Sequence, residues 1–288
     1  MTITIDTFFV SIEGAGEFDG MFGRRIITTD YCMVIIADAG SRNFVLKFLN
    51  YGETVDESNY SDWQNTLRKE SEMLAAAGLS RGERGPFVPQ IYFFAENAQI
   101  IDNEESDFTA LCRSYLSPVL IMEYISGTRM NNRDCFFSKA FFSDICFSLK
   151  YFNSRNFFHM DLSEKNMIVD HHGHVWLIDF TGAFLCYHRG VLMKDYKPFH
   201  LDNDYLTGLN TANLTGHGCE AFQAKMLLDI FSNFFCSCLD RGELDRRICE
   251  TGVKVLEADD PLSLLEREMS ALMIDFDLIF PPFTGWSF

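Results

Sequence analysis

The sequence contains no uncharged apolar run of roughly 18 residues or more, so no segment of it reads as a membrane-crossing helix. Its opening stretch, MTITIDTFFVSIEGAGEF, lacks both a basic lead-in and a small-residue cleavage pattern, and the expected location is the cytoplasm. The nine cysteines include no Cys-x-x-Cys pair, the tightest spacing being Cys236-Ser-Cys238. An odd count without metal-ligand spacing reads as reduced, mostly buried thiols rather than a disulfide framework or zinc site. Basic residues are scarce: 24 Lys and Arg stand against 41 Asp and Glu, a formal charge of −17. That balance disfavours direct binding to nucleic acid or to an anionic membrane surface, since both demand net attraction to phosphates. The acidity reads most simply as a solubility device. Internal repeats and low-complexity segments are also missing.

What the chain does have is apolar material. At 288 residues and 47% hydrophobic content it can bury a substantial core, with the length of one large domain or two lobes. Its 29 phenylalanines are scattered in pairs such as Phe141-Phe142 and Phe157-Phe158, as core filler would be.

The first half alternates strand-like runs with one helix, and the second half reads as mostly helical past residue 180, an α+β pattern with segregated halves. CMVIIAD (32–38) and NFVLKFLN (43–50), joined by Ala-Gly-Ser-Arg, predict a hairpin. A helix is expected from Ser61 to Ala77, with Ser61 as N-cap and Gly78 at its end. On it Trp63, Leu67, Glu70, Leu74 and Ala77 share one face, which turns Glu70 inward among apolar neighbours. A buried carboxylate needs a cation, and Lys47 is the candidate, because Val45, Leu46, Phe48 and Leu49 around it imply a central strand. Strands are also expected in VPQIYFFAE (88–96) and PVLIMEYISG (118–127), with an inserted loop or hairpin extension over 97–114 between them. After Gly127 the pattern turns helical, and residues 138–155 form an amphipathic helix leading to the most informative stretch.

That stretch, 157–184, reads FFHMDLSEKNMIVDHHGHVWLIDFTGAF. His159-x-Asp161-Leu162-x-x-x-Asn166 is followed by a β-run, a turn, a second β-run and Asp179-Phe180. Phosphoryl transfer needs a carboxylate to orient the attacking hydroxyl and hard oxygen ligands to hold Mg²⁺ on the phosphates. Asp161 fits the first role; Asn166 and Asp179, folded back by the hairpin, fit the second. His171, His172 and His174 lie in the turn, where polar residues belong, and read as turn residues rather than metal ligands. A second Ile-Asp-Phe at 274–276 lacks an upstream partner, so Asp275 reads as a surface or capping carboxylate. The ending that contains Phe283 and Trp286 reads as a tail packed on the body of the protein.

HMDLSEKN and IDFTG together closely resemble the catalytic loop and metal-binding motif of the protein kinase-like superfamily, with Met160 in the usual Arg slot and Thr181 in the usual Gly slot. The resemblance spans about residues 30–235. It implies a bilobal fold, with a β-rich N-lobe over 1–125, a helical C-lobe over 126–288 and ATP between them. It implies Lys47 as the lysine on the α- and β-phosphates and Glu70 as its helix partner. IMEYISG is similar to the hinge, implying Met122 as gatekeeper and backbone groups of Glu123 and Ile125 as adenine contacts. Asp229-Ile-Phe-Ser232 resembles the pattern whose Asp braces the catalytic loop.

The departures also carry information. No Gly-x-Gly-x-x-Gly precedes CMVIIAD, where Ile27, Thr29 and Cys32 stand instead, and the glycines at 14, 16 and 20 lie further upstream. No Ala-Pro-Glu follows Asp179, and Met160 removes the arginine that reads an activation-loop phosphate. Ser163 replaces the lysine common in Ser/Thr protein kinases, and Lys165 is the candidate to reach the transferring phosphate. This style is most similar to bacterial Kdo, heptose and small-molecule kinases. The expected activity is therefore ATP- and Mg²⁺-dependent phosphorylation of a hydroxyl, leaning to a saccharide or other small acceptor. A protein kinase and a non-catalytic nucleotide-binding module are the alternatives.

Overall fold

The computed structural model describes residues 2–3, 8–12, 21–28, 32–39, 42–49, 65–75 except 66, 69 and 73, 86–98, 100–101, 117–130, 141–155, 157–159, 161–180, 184–187, 191–192, 216–234 and 241–275. The chain divides into two compact units. One comprises Met1–Leu79 and Pro89–Tyr124; the other comprises Ser80–Val88 and Ile125–Phe288.

The first unit is built on an eight-stranded sheet. Its strands are β1 (Thr2–Ile3), β2 (Phe8–Ile12), β3 (Met21–Thr28), β4 (Cys32–Ala39), β5 (Arg42–Leu49), β6 (Ile91–Ala98), β7 (Ile100–Ile101) and β8 (Ser117–Glu123). They run in the order β6-β8-β5-β4-β3-β2-β7, with β1 paired to β3. The β4–β5 hairpin forms where β-branched and aromatic residues flank a small-residue turn, in a register that sets Val34 opposite Lys47. On its other side β5 pairs with β8, Lys47 opposite Leu120, so β5 is interior to the sheet and its apolar run is buried. Residues 65, 67, 68, 70–72, 74 and 75 are helical (α1). Leu67, Glu70 and Leu74 are buried while Glu72 is exposed, as a helical period requires. Ser61, Trp63, Ala77 and Gly78 lie outside the described residues.

Several boundaries differ from expectation. Val88 to Gln90 precede the strand rather than open it, since Pro89 cannot donate to a ladder. Of the two readings of 97–114, the described part follows the extension: strand β6 continues to Ala98 and Ile100–Ile101 pairs with β2. Residues 29–31, which join β3 to β4, contain no glycine, and Gly14, Gly16 and Gly20 belong to the preceding β2–β3 connection; both connections lie outside the described residues.

The second unit begins with a strand, not a helix: β9 (Gly127–Arg129) pairs with β11 (Met167–Asp170), which pairs with β12 (Val175–Leu177). Gly127 is required there, because a Cβ would stand 2.3 Å from the carbonyl oxygen of Val169. Past residue 180 the chain is not purely helical either. Strand β13 (Phe184–Tyr187) pairs with both β10 (Phe157–Phe158) and β14 (Val191–Leu192). Among the described residues the unit also has four α-helices: α2 (Phe141–Asn153), α3 (Gly216–Phe234), α4 (Arg241–Glu257) and α5 (Pro261–Asp275). Phenylalanines supply much of the core: Phe142 of α2 meets Phe231 of α3 at 5.1 Å between ring centroids, and Phe157 stacks on Phe180 at 5.8 Å. Of the cysteines with described side chains, Cys32, Cys146 and Cys219 are buried free thiols and Cys249 is an exposed one. Burial pushes the Cys146 thiol up to about 12, so it stays protonated. Among the described residues no helix is long and apolar enough to cross a membrane.

Candidate functional site

In the first unit Lys47 Nζ donates to Glu70 Oε2 at 2.6 Å, with both side chains nearly inaccessible to water. The strand brings an ammonium to an apolar layer and the helix brings a carboxylate to meet it; neither charge would be tolerable there alone. Met122, on β8, is buried opposite Val45 and Ile91. Glu123 is tied twice to Gln90: its N–H donates to the Gln90 carbonyl at 2.8 Å, and its Oε2 accepts the Gln90 N–H at 3.1 Å. The bridge braces the end of β8 just before the chain leaves the sheet. Ile125 is buried and is the first residue of the second unit's longer segment.

In the second unit the residues after β10 form a closely restrained loop. Asp161 is followed by extended Ser163 and a 3₁₀ turn over Glu164–Asn166. Asn166 is buried, and its Nδ2 donates to the carbonyl oxygen of Asp161 at 3.0 Å and to Asp161 Oδ2 at 2.9 Å. With Nδ2 so engaged, the amide oxygen is the end of Asn166 suited to a cation. The β11–β12 hairpin then returns the chain, and the N–H of Ile178 donates to the Asn166 carbonyl at 2.9 Å. Asp179 follows immediately with φ 61°, the left-handed region that short polar residues enter most readily among non-glycines. Asp161, Asn166 and Asp179 are therefore linked through named bonds and one peptide. Lys165 is exposed on the 3₁₀ turn.

His159 lies beneath this loop, fully buried, with Nε2 3.3 Å from the Ile178 carbonyl and its ring 4.6 Å from that of Phe180. Burial lowers its pKa, against an opposing pull from the Asp161 charge, and holds it neutral. The Nε2–H tautomer then donates to Ile178 and fixes the peptide leading into Asp179. The turn histidines behave as turn residues: Asp170 Oδ1 accepts the N–H groups of His172 and His174 at 2.8 and 2.9 Å, and Gly173 takes φ 82°.

One expectation is corrected. Asp229 does not brace the loop that carries Asp161: it is exposed and pairs with Lys225 at 2.9 Å. The loop is instead reached from α3 by Gln223, which is wholly buried and donates through Nε2 to the His159 carbonyl at 3.3 Å. Residues 223 and 229 are about 1.7 helical turns apart and so leave different faces of α3. A second feature carried no sequence signal. Phe87 is hydrogen-bonded through its carbonyl to the Leu177 N–H at 2.9 Å, and its ring stacks on His174 at 4.7 Å. His174 Nδ1 in turn lies 3.0 Å from Oδ2 of buried Asp144.

Comparison with known proteins bears on this loop. Residues 113–195, which include all of it, match the RIO domain family. Over 115 residues, 38% of this chain, the sequence is 27% identical to the "probable serine/threonine protein kinase IRE" of Arabidopsis thaliana. The match covers 8% of that relative, so the chain corresponds to a small part of it. Both similarities lie within the protein kinase-like superfamily. Neither favours the sugar and lipopolysaccharide kinases to which the loop's style had pointed.

Proposed function

We propose that this protein transfers the γ-phosphate of ATP to a hydroxyl group, with a polypeptide as the acceptor class. The observation that carries the reading is the bond from Asn166 Nδ2 to Asp161 Oδ2, coupled through the Ile178 N–H to the placement of Asp179. In this reading one oxygen of Asp161 receives the acceptor's proton, and the amide oxygen of Asn166 and the carboxylate of Asp179 serve as hard oxygen donors. These donors suit Mg²⁺, which when bound would neutralise charge on the phosphates. In the same scheme Lys47, steadied by Glu70, holds the α- and β-phosphates. Met122 and backbone groups of Glu123 and Ile125 receive the adenine, and Lys165 meets the transferring phosphate. Asp161 orients the acceptor hydroxyl, and positioning supplies most of the rate.

The polypeptide acceptor is favoured over a saccharide because the named relative is a serine/threonine protein kinase. The deciding experiment incubates the protein with γ-labelled ATP and separate protein, saccharide and lipid extracts. Label is expected in protein, and Asp161→Asn is expected to abolish it while nucleotide binding persists. Near-normal transfer by that variant would remove Asp161 from the mechanism, and label in saccharide would overturn the acceptor.

A further inference from the structure

Gln223 is the buried polar group whose place in the core most needs explaining. It is inaccessible to water on a helix whose neighbouring residues Phe222, Ala224, Leu227 and Phe231 are apolar and buried. An amide in such a layer is destabilising unless its donors and acceptor are all met. Its partners define a short network. Nε2 donates to the His159 carbonyl at 3.3 Å. Asn153, the last residue of α2, is buried as well. With its amide turned so that Nδ2 faces acceptors, its two N–H groups are shared among Gln223 Oε1 at 3.0 Å, the Leu149 carbonyl at 3.1 Å and the Phe157 carbonyl at 3.3 Å.

The network grips the carbonyls of Phe157, on β10, and of His159, just past its end, in the segment that delivers the chain to Asp161. Asn166 restrains Asp161 from the other side. We infer that Gln223, oriented by Asn153, is a positioning residue that sets the direction of the backbone entering Asp161. An apolar side chain of equal size would fill the space without fixing which way those carbonyls point. This inference rests on the phosphotransfer reading for its kinetic consequence but not for its structural one.

The test uses the full chain carrying Gln223→Met, which keeps the volume and removes the amide, or Gln223→Glu, which keeps an oxygen for Asn153 and loses the donor to His159. Turnover is measured alongside the affinity for Mg²⁺ with a non-hydrolysable ATP analogue, and backbone hydrogen exchange is followed by residue. The expected result is a kcat lowered about tenfold or more with affinity changed by less than about twofold, since misplacing a reacting group by about 1 Å is enough for such a loss. Exchange should accelerate over 157–166 while α4 and α5 keep their protection. Unchanged kcat in a folded variant, or exchange that rises evenly through the second unit, would overturn the inference. Failure of both variants to fold would make Gln223 a structural residue and overturn it equally. If the wild type transfers no phosphate, the phosphotransfer reading fails by itself, and localised or even exchange alone decides the role of Gln223.

Discussion

Lys47 and Glu70 show how far a single residue's environment constrains its chemistry. Each side chain is buried, and the 2.6 Å bond between them is what makes that burial tolerable. Removing Glu70 deprives a buried ammonium of this carboxylate and of the direction it gives toward the phosphates it is proposed to hold. Glu70→Ala is therefore expected to lower ATP-dependent activity by about an order of magnitude or more, and Lys47→Ala to do much the same. The double variant should be no worse than the poorer single one, because the two act as a unit. Rates of all four proteins at saturating nucleotide check this, and independent multiplicative losses would refute it. The contact was legible in the sequence because both cues were local: an apolar strand around Lys47 and a 3.6-residue period through Glu70. Gln223 was not legible, because a glutamine in an apolar helix face looks the same whether it meets a distant carbonyl or not. Asp229 looked better by motif, and only the turn of α3 separates the two.

At the scale of elements, periodicity located the β4–β5 hairpin, α1 and α2, because each buries a regular face over many residues, while the short β11–β12 hairpin was marked by its polar turn between two apolar runs. It missed β9 and β13, which are three and four residues long and held by pairing rather than by pattern. It also gave no sign that the segment before β6 belongs to the second unit. Phe87 makes that attachment: its carbonyl extends the β12 edge, its ring lies on His174, and Trp176 meets it edge-on at 5.5 Å. Phe87→Ala keeps the backbone bond and removes the ring. For a half-buried phenylalanine this should destabilise the second unit by about 1–2 kcal/mol, most of it lost apolar burial with a smaller stacking share. Denaturant unfolding followed by Trp176 fluorescence would measure it. A change below about 0.3 kcal/mol would mean that the backbone bonds of residue 87 to Leu177 and Ser148 hold the segment without the ring.

For the molecule as a whole, the charge of −17 and the two compact units set how ligand binding will be seen. So large an excess of one sign repels itself, so added salt should raise the melting temperature even with no ligand present. Exposed ion pairs such as Lys225–Asp229 oppose the trend only weakly, each being worth at most about 1 kcal/mol. A magnesium effect must therefore be read at matched ionic strength. Under that condition Mg²⁺ with an ATP analogue at about 100 times its dissociation constant should stabilise the folded chain by about 2.7 kcal/mol, several degrees in melting temperature. With two units the unfolding need not be a single step, so the shift is read for each transition separately. Asp179→Asn is the informative variant. Asparagine accepts the left-handed backbone at φ 61° as readily as aspartate, so the substitution removes one charged metal ligand without adding strain. The nucleotide-dependent shift should shrink to the size seen without Mg²⁺, while the salt-dependent rise stays as in the wild type. A full shift retained by Asp179→Asn would place the metal elsewhere and leave this loop without its proposed chemistry.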